Sequence, residues 1–281
     1  MRFITLVALF RLTRFWNLVI IAIAQYFAAA FLFKIKQGVI WDWRLFVFSL
    51  STILIAAAGY IINDYYDIKI DLINKPDRVV IGKSITRRYA ILFHTFISSL
   101  GIILGTLVSL KIGLVNIICF FLLWLYSNKL KRLPFIGNLL VAILTGLAIG
   151  LVNLLYEVNN TLVVIYALFA LFVTLVREIV KDIEDMKGDN TFGCKTLPIL
   201  WGIRKTKWLL YLIIATFALV AIFFNITYNL LPPYYFVVIL FLPLGFMVFR
   251  LVRADTKKEF YQLSQFCKVI MLLGIFSMML I

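Results

Sequence analysis

Three oxygen-bearing side chains recur at four-residue intervals where a long apolar stretch ends. The apolar run over 46–62 is followed by Asn63, Asp67 and Asp71. Spacings of i, i+4 and i+8 bring the three side chains to one face of an α-helix. Since like charges on that face destabilise a helix by about 0.2–0.5 kcal/mol per pair, the stack requires a cation. Hard oxygen ligands at the mouth of an apolar helix indicate Mg²⁺ that holds a phosphate.

A second acidic face is predicted further along the chain. Glu178, Asp182, Asp185 and Asp189 are spaced i, i+4, i+7 and i+11, which is again one face if the helix continues to Gly188. Solvated helix ends are the alternative explanation for any single Asp, but two such faces favour a site. Two metal ions held by the two clusters can bind opposite sides of a pyrophosphate. All of these acids and Asn63 are therefore candidate metal ligands.

The acidic residues of the chain are concentrated at these two points. Nine of the thirteen lie in the two segments: Asp64, Asp67, Asp71, Asp77, Glu178, Asp182, Glu184, Asp185 and Asp189. Carboxylates at membrane depth are costly, so clusters of them usually mark a pathway or a site.

Composition places the chain in a membrane. Of its 281 residues, 64% are hydrophobic and 15% are charged, whereas the apolar share of soluble domains is about 45–50%. The mean hydropathy is +1.03. The net charge is +15, but the basic residues lie between apolar spans and form no nucleic-acid-binding motif. Cys119, Cys194 and Cys267 have no metal-ligand spacing, His94 is far from both clusters, and residues 1–33 do not form a convincing cleavable signal.

Nine apolar stretches are long enough to cross a core of about 30 Å. They are 15–33, 45–65, 88–109, 112–127, 137–156, 161–181, 206–226, 233–251 and 263–281. We therefore expect an all-α polytopic membrane bundle around a central cavity, formed by residues 1–281 as a single domain. Four spans separate the two acidic segments, so a ring of helices can bring the clusters face to face.

The distribution of Lys and Arg predicts the orientation. The N-terminus and the loops 66–88, 128–136, 182–205 and 252–262 are basic, whereas the intervening gaps hold few cations. Only the 34–44 loop, with Lys34, Lys36 and Arg44, departs from the pattern. The positive-inside rule then places the N-terminus and both acidic clusters in the cytoplasm. In a prokaryote the protein is expected in the inner membrane.

Basic residues follow each acidic cluster, where a pyrophosphate needs them. Arg78 follows the first cluster, Lys131 and Arg132 lie in the 128–136 loop, and Lys195 follows the second. Arg can bind phosphate bidentately and Lys as a point charge, although both also serve as topogenic or headgroup residues. Two further candidates enter the first span and can face the cavity: Arg14 and Asn17.

The two acidic segments carry a family resemblance. Asn63-Asp64-x-x-Asp67-x-x-x-Asp71 resembles the first signature of the UbiA superfamily of intramembrane prenyltransferases, and Asp185-x-x-x-Asp189 resembles the second. The resemblance implies a helical bundle in which Mg²⁺ binds a prenyl diphosphate. It also implies that Asn63, Asp67, Asp71, Asp185 and Asp189 are ligands, with the four aspartates central to catalysis and Glu178 as an additional acid.

Two segments depart from the family pattern. A Tyr-x-x-x-Lys element is replaced by Tyr126-Ser-Asn-Lys129-Leu-Lys131-Arg132, and we expect Lys131 to be the pyrophosphate ligand. The segment after Arg78 reads Val-Val-Ile-Gly-Lys rather than the usual Pro-rich continuation. The cytoplasmic loops that cover the central cavity can therefore differ in shape from those of the family.

Two longer segments are most similar to the digeranylgeranylglyceryl phosphate synthase branch of that family. The first is Asn-Asp-Tyr-Tyr-Asp over 63–67, followed by Ile-Asp-Leu-Ile-Asn-Lys-Pro over 70–76. The second is Arg-Glu-Ile-Val-Lys-Asp-Ile-Glu-Asp-x-x-Gly-Asp over 177–189, ahead of Lys-Thr-Leu-Pro over 195–198. This resemblance implies transfer of a geranylgeranyl group from its diphosphate to the hydroxyl of geranylgeranylglyceryl phosphate. Partners would then be the prenyl diphosphate, a lipophilic acceptor and membrane lipid, with no nucleic acid and no obligate protein partner. The alternatives are an aromatic acceptor, such as 4-hydroxybenzoate or a quinone precursor, and, in another class, a cation-coupled secondary transporter.

Overall fold

The computed structural model describes residues 6–33, 38–229 and 232–281, and over these residues the chain is almost entirely helical. The α-helices are α1 Leu6–Leu12, α2 Phe15–Phe27, α3 Trp43–Asn74, α4 Arg87–Val108, α5 Leu110–Asn128, α6 Ile136–Tyr156, α7 Thr161–Thr191, α8 Leu197–Tyr228, α9 Pro233–Phe236, α10 Leu242–Arg253 and α11 Lys257–Ser277. Helix α2 continues into a π-helical turn, Ala28–Leu32. The predicted all-α class is confirmed. Lys34 and Lys36 lie outside the described residues.

Eight helical stretches of the described chain are long and apolar enough to cross a membrane. The predicted ninth span, 233–251, is instead a composite of α9, a π-helical turn over Val237–Phe241, and α10. Pro243 explains the interruption, because proline has no N–H to donate to the preceding turn and its ring clashes with that turn's carbonyl. The helix widens into a π turn at this point.

Helices α3 and α7 are much longer than their predicted spans. They contain 32 and 31 residues, which corresponds to about 48 and 46 Å at 1.5 Å per residue. Both lengths exceed a hydrocarbon core of about 30 Å. Each helix therefore carries its acidic residues on a continuous extension of an apolar span, and the expected continuation of α7 to Gly188 is confirmed.

Apolar packing closes the bundle at the end opposite the acidic extensions. One buried cluster joins the last turns of α2 and α6 to the first turns of α3 and α7 through residues such as Ala28, Phe48, Leu155 and Val163. Phe48 and Val163 are fully buried there. This end of the bundle is therefore packed with apolar side chains, whereas the acidic extensions lie at the other end.

A second apolar cluster shapes the segment that follows α3. After a 3₁₀ turn at Pro76–Arg78, Ile81 and Ile85 form an isolated bridge around Gly82. Both isoleucines are buried against Leu12 of α1 and Ala90 of α4. Gly82 has a φ of 92°, which strains any residue with a side chain. The first basic loop is thus a folded cap over the ends of α1 and α4.

Cysteine labelling tests the predicted orientation of this bundle. Lys83, Lys187 and Asn159 are exposed, whereas all three native cysteines are buried, so the unmodified protein provides a low background. With a membrane-impermeant maleimide, Lys83→Cys and Lys187→Cys are expected to react only from the cytoplasmic side and Asn159→Cys only from the opposite side. The reverse pattern would invert the topology.

Candidate active site

A cavity of about 910 Å³ lies between the acidic ends of α3 and α7. Most of the predicted site residues line it: Arg14, Asn17, Asn63, Asp67, Asp71, Arg78, Lys131, Glu178, Asp182, Asp185 and Asp189. The two acidic faces therefore line the same cavity.

Two predicted phosphate ligands lie outside the cavity wall. Arg132 and Lys195 are exposed, and neither contributes to the lining. Their backbones are joined, since the Lys195 N–H donates to the Arg132 carbonyl at 2.8 Å. This contact ties the loop after α5 to the loop after α7.

The loop after α5 separates its two lysines. Residues Leu130–Arg132 form a 3₁₀ turn that directs Lys131 into the cavity and leaves Lys129 exposed. The Lys131 ammonium forms an ion pair with Asp67, and both side chains are largely buried. Lys131 thus contacts the first acidic face from a loop 64 residues away.

Lys75 connects the end of α3 to the second acidic face. Its ammonium lies 2.7 Å from Asp185 Oδ2 and 3.1 Å from Glu184 Oε1. Burial lowers the pKa of Lys75, but the two carboxylates outweigh this effect and raise the pKa above its ordinary value. Lys75 therefore stays charged and neutralises part of the second face.

Asn74 links the same two helices through its side-chain amide. Its Nδ2 donates to the Asp185 carbonyl at 2.8 Å, and its Oδ1 accepts from the Gly188 N–H at 2.9 Å. A Cβ at Gly188 would lie 2.6 Å from the Asn74 side chain, so only glycine allows this approach. Lys257 of α11 donates to the Asn74 carbonyl at 2.6 Å. Asn74 thus holds three helices together beside the acids.

Arg14 reaches the cavity because the first helix is broken. It lies between α1 and α2 with a left-handed φ of 51°, an uncommon conformation for a residue other than glycine. Its guanidinium is 3.0 Å from Asp64 and 4.9 Å from the centroid of the Tyr60 ring. Asn17, one turn later, donates to Tyr60 Oη at 3.3 Å. The break therefore directs a cation towards the first acidic segment.

Two acids of the second face already have partners. Glu178 binds Arg177 through Oε1 and Lys181 through Oε2, the latter at 2.8 Å, and is almost fully buried. Asp182 accepts from the Asn138 amide at 2.8 Å. Their role as metal ligands stays a prediction. Both Glu178 oxygens are in ion pairs, whereas the contact with Asn138 uses only Oδ2 of Asp182.

Other oxygens in the cavity have no partner. Asn63 Oδ1 and Asp185 Oδ1 are buried and accept no hydrogen bond from the described part of the chain. No described side chain pairs with the carboxylates of Asp71 or Asp189, which also line the cavity. No three carboxylates among the described residues converge into a ready-made metal site. The available donors are nevertheless all hard oxygens from both faces, and this donor set fits Mg²⁺.

An apolar chamber of about 200 Å³ adjoins the polar cavity. Arg14, Asn17, Asn63 and Tyr126 line both spaces, and the chamber then extends between residues such as Ile55, Leu123 and Leu144. A ligand with a charged head and an apolar tail can therefore place its two parts in continuous but chemically different surroundings.

Residues 18–270 match the UbiA prenyltransferase family. The chain belongs to the UbiA prenyltransferase family. It is accordingly a prenyltransferase and an integral multi-pass membrane protein, and family membership disfavours the transporter alternative. The predicted resemblance is confirmed over nearly the whole chain.

Relatives of this chain include proteins named digeranylgeranylglyceryl phosphate synthase. The chain is 35% identical over 243 residues to the digeranylgeranylglyceryl phosphate synthase of Methanosphaera stadtmanae, covering 85% of this chain and 88% of the relative. A solved structure of digeranylgeranylglyceryl phosphate synthase is similar with a TM-score of 0.72 and 24% identity, covering 98% and 97% of the two chains. A UbiA homologue from Archaeoglobus fulgidus bound to DMAPP and Mg²⁺ has a TM-score of 0.62 and 15% identity, covering 97% and 99%.

Sequence reasoning missed several cationic and amide residues of this site. Asn74 and Lys75 extend the face of Asp71 by one further helical turn, so the same spacing rule could have found them. Lys268 also lines the cavity, and its position within an apolar span was the available signal. The pairing of each residue across helices has no signal in local spacing.

Removing the Asn74 amide tests its role as a link between helices. Asn74→Ala is expected to lower the free energy of unfolding by about 1–3 kcal/mol, because two buried polar groups of α7 lose a partner. Thermal or denaturant unfolding of the detergent-solubilised protein measures this loss. Asn190→Ala, at an exposed position near the end of α7, is the control and should leave stability unchanged. Equal stability of both variants would contradict the assignment.

Proposed function

We propose that this prenyltransferase moves a geranylgeranyl group from geranylgeranyl diphosphate to the free hydroxyl of geranylgeranylglyceryl phosphate. The proposal is supported by one arrangement in particular. Two faces of hard oxygen ligands oppose each other across a cavity that also contains cations and continues into an apolar chamber. This arrangement suits a diphosphate head and a prenyl tail. The similarity to the synthase from Methanosphaera stadtmanae supports the choice of acceptor.

Magnesium would be held by oxygens from both helices. Asn63, Asp67 and Asp71 would act from α3, and Asp185 and Asp189 from α7. When bound, the metal supplies charge neutralisation to the diphosphate and so makes it a better leaving group. The A. fulgidus homologue bound to DMAPP and Mg²⁺ supports this cofactor through the shared fold.

The side chains of the chain would stabilise charge on the departing diphosphate. As the allylic C–O bond breaks, its electron pair remains on the diphosphate oxygen, and Lys131 and Arg78 lie in the cavity wall to offset the developing charge. The hydroxyl oxygen of the acceptor then forms the new C–O bond and releases its proton. Arg78 is itself oriented by Tyr261, since its Nη2 donates to Tyr261 Oη at 3.2 Å.

The apolar surroundings of the prenyl group would protect the reactive carbon from water. Tyr126 lines both chambers and Tyr60 lines the apolar one, so both present ring surfaces beside the prenyl group. Because both acidic faces occupy the same end of the bundle as the basic loops, we place the reaction on the cytoplasmic side of the membrane.

An acceptor assay tests the proposed function directly. Purified protein with labelled geranylgeranyl diphosphate and Mg²⁺ is expected to form the diether product from geranylgeranylglyceryl phosphate and no product from 4-hydroxybenzoate. Addition of a chelator should abolish turnover. Product formed only from the aromatic acceptor would replace the proposed acceptor with the alternative one.

Substitutions in the two acidic faces test the proposed metal site. Asp67→Asn and Asp185→Asn preserve side-chain shape but remove the charge that binds Mg²⁺, so turnover is expected to fall to about one hundredth or less. Unfolding measurements in detergent should show that both variants remain folded. The control is Asp255→Asn, because Asp255 is exposed and distant from the cavity. Mg²⁺-dependent turnover retained in either site variant would refute a two-face site.

The two lysines of the loop after α5, Lys129 and Lys131, provide a matched pair of substitutions. Lys131→Ala is expected to cost about 2–4 kcal/mol of transition-state stabilisation, or roughly 30- to 1000-fold in kcat/KM, because it removes a preorganised cation. Lys129→Ala should change kcat/KM by less than about twofold, since Lys129 is exposed outside the cavity. Small and equal effects of the two substitutions on kcat/KM would show that the loop only contributes basic charge that sets the membrane orientation.

A further inference from the structure

Lys268 lies where the polar and apolar chambers meet and has no partner among the residues that the structure describes. It belongs to a face of α11 on which Tyr261, Gln265, Lys268 and Met271 follow one another at helical spacing towards the interior. The side chain is half-buried, and no described residue forms an ion pair or a hydrogen bond with its ammonium. It lines both chambers.

The charged groups that act most strongly on Lys268 have the same sign. They are the cations Arg177, Lys181, Arg14 and Arg78. Arg177 and Lys181 line both chambers with Lys268 and share a single carboxylate, Glu178. Arg177 also has a buried Nε that finds no acceptor. Among the described residues, Glu178 is the one carboxylate that lines both chambers with these three cations, because Asp182, the next acid of α7, lines only the polar chamber. Positive charge is therefore in excess where the chambers meet.

Such an excess is costly beside an apolar chamber. A lone cation in surroundings of low dielectric constant is strongly destabilised unless an anion or water compensates it. An ammonium and a guanidinium that line the same space are donors for a tetrahedral oxyanion. The missing partner at this position is therefore an anion with several oxygens.

This anion is separate from the diphosphate. Arg177 precedes Asp185 by eight residues on α7, which corresponds to about 12 Å along the helix axis. The diphosphate is expected at the level of the outer aspartates, where Lys131 and Arg78 lie. The three cations are deeper in the bundle, where the apolar chamber begins.

We propose that Arg177, Lys181 and Lys268 form a second anion subsite, which binds the phosphate monoester of the prenyl acceptor. The inference rests on the proposed function, since it concerns the second substrate of the same cavity. In a glyceryl phosphate only two carbon atoms separate the phosphate from the reacting hydroxyl. A phosphate held by these cations therefore keeps the hydroxyl close to the diphosphate above, while the acceptor's own prenyl tail occupies apolar surface. The subsite thereby selects a phosphorylated acceptor over a neutral one.

Kinetics with two acceptors test the subsite. The protein is assayed in nanodiscs of phosphatidylcholine with geranylgeranylglyceryl phosphate or with unphosphorylated geranylgeranylglycerol. In Lys268→Gln the KM for the phosphorylated acceptor is expected to rise about 10- to 100-fold, as for loss of a charged hydrogen-bond donor, with little change in the KM for geranylgeranyl diphosphate. The preference of the enzyme for the phosphorylated over the neutral acceptor should fall by the same factor. Lys268→Arg, which keeps the charge, should restore it.

A second lysine on the same helix is the control. Lys258 is an exposed residue in the first turn of α11, and Lys258→Gln should leave both KM values unchanged. Equal losses with the two acceptors in Lys268→Gln would indicate a structural role and overturn the proposal. A raised KM for the diphosphate alone would assign Lys268 to the donor site and overturn it as well.

The experiment also separates this proposal from the proposed function and from lipid binding. If the unmodified protein does not use geranylgeranylglyceryl phosphate, the proposed function fails. If it does and Lys268→Gln has the normal acceptor KM, the subsite alone fails. Adding phosphatidylglycerol to the nanodiscs should not change the acceptor KM. A rise that disappears in Lys268→Gln would instead assign the cations to a lipid headgroup and overturn the proposal.

Discussion

Repulsion between two groups of carboxylates is the constraint on which this structure depends. Helices α3 and α7 bring their acidic faces to one cavity at the end of an otherwise apolar bundle. In surroundings of low dielectric constant these charges would separate the helices unless cations intervened. Lys131 and Lys75 supply that compensation, the first on Asp67 and the second on Asp185. The same lysines line the cavity proposed for the diphosphate, so under the proposed function the groups that neutralise the acids also lie beside the substrate.

The rest of the bundle keeps the two long helices in register. Apolar packing seals the far end, where Phe48 of α3 and Val163 of α7 are fully buried in a single cluster. At the acidic end the helices are joined by polar contacts instead, chiefly through the Asn74 amide and the close approach at Gly188. This division has a physical reason. Apolar burial is non-directional and suits a closed end, whereas directional hydrogen bonds can position acids around an open cavity.

Charge is distributed at two depths along α7. The outer turns carry Asp185 and Asp189 with few paired oxygens, and the inner turns carry Arg177 and Lys181 around Glu178. Under the proposed function the outer level binds metal and diphosphate, and the inner level binds the phosphate of the acceptor. Because both levels are on one rigid helix, the spacing between the two substrates is set by helical rise rather than by a mobile loop.

The sequence by itself determined the membrane class, the acidic faces on α3 and α7, and the family, because these depend on composition and on spacing within single helices. It also identified most cavity residues, including Lys131 rather than Lys129. Only the tertiary structure decided that Lys131 pairs with Asp67 and Lys75 with Asp185. It also decided that Arg132 and Lys195 are exposed outside the cavity. Each of these contacts joins segments far apart in the chain, and its geometry follows from helix packing and loop conformation. Local periodicity contains no information about which side chains meet across a cavity, so the positions of the cations required the folded structure.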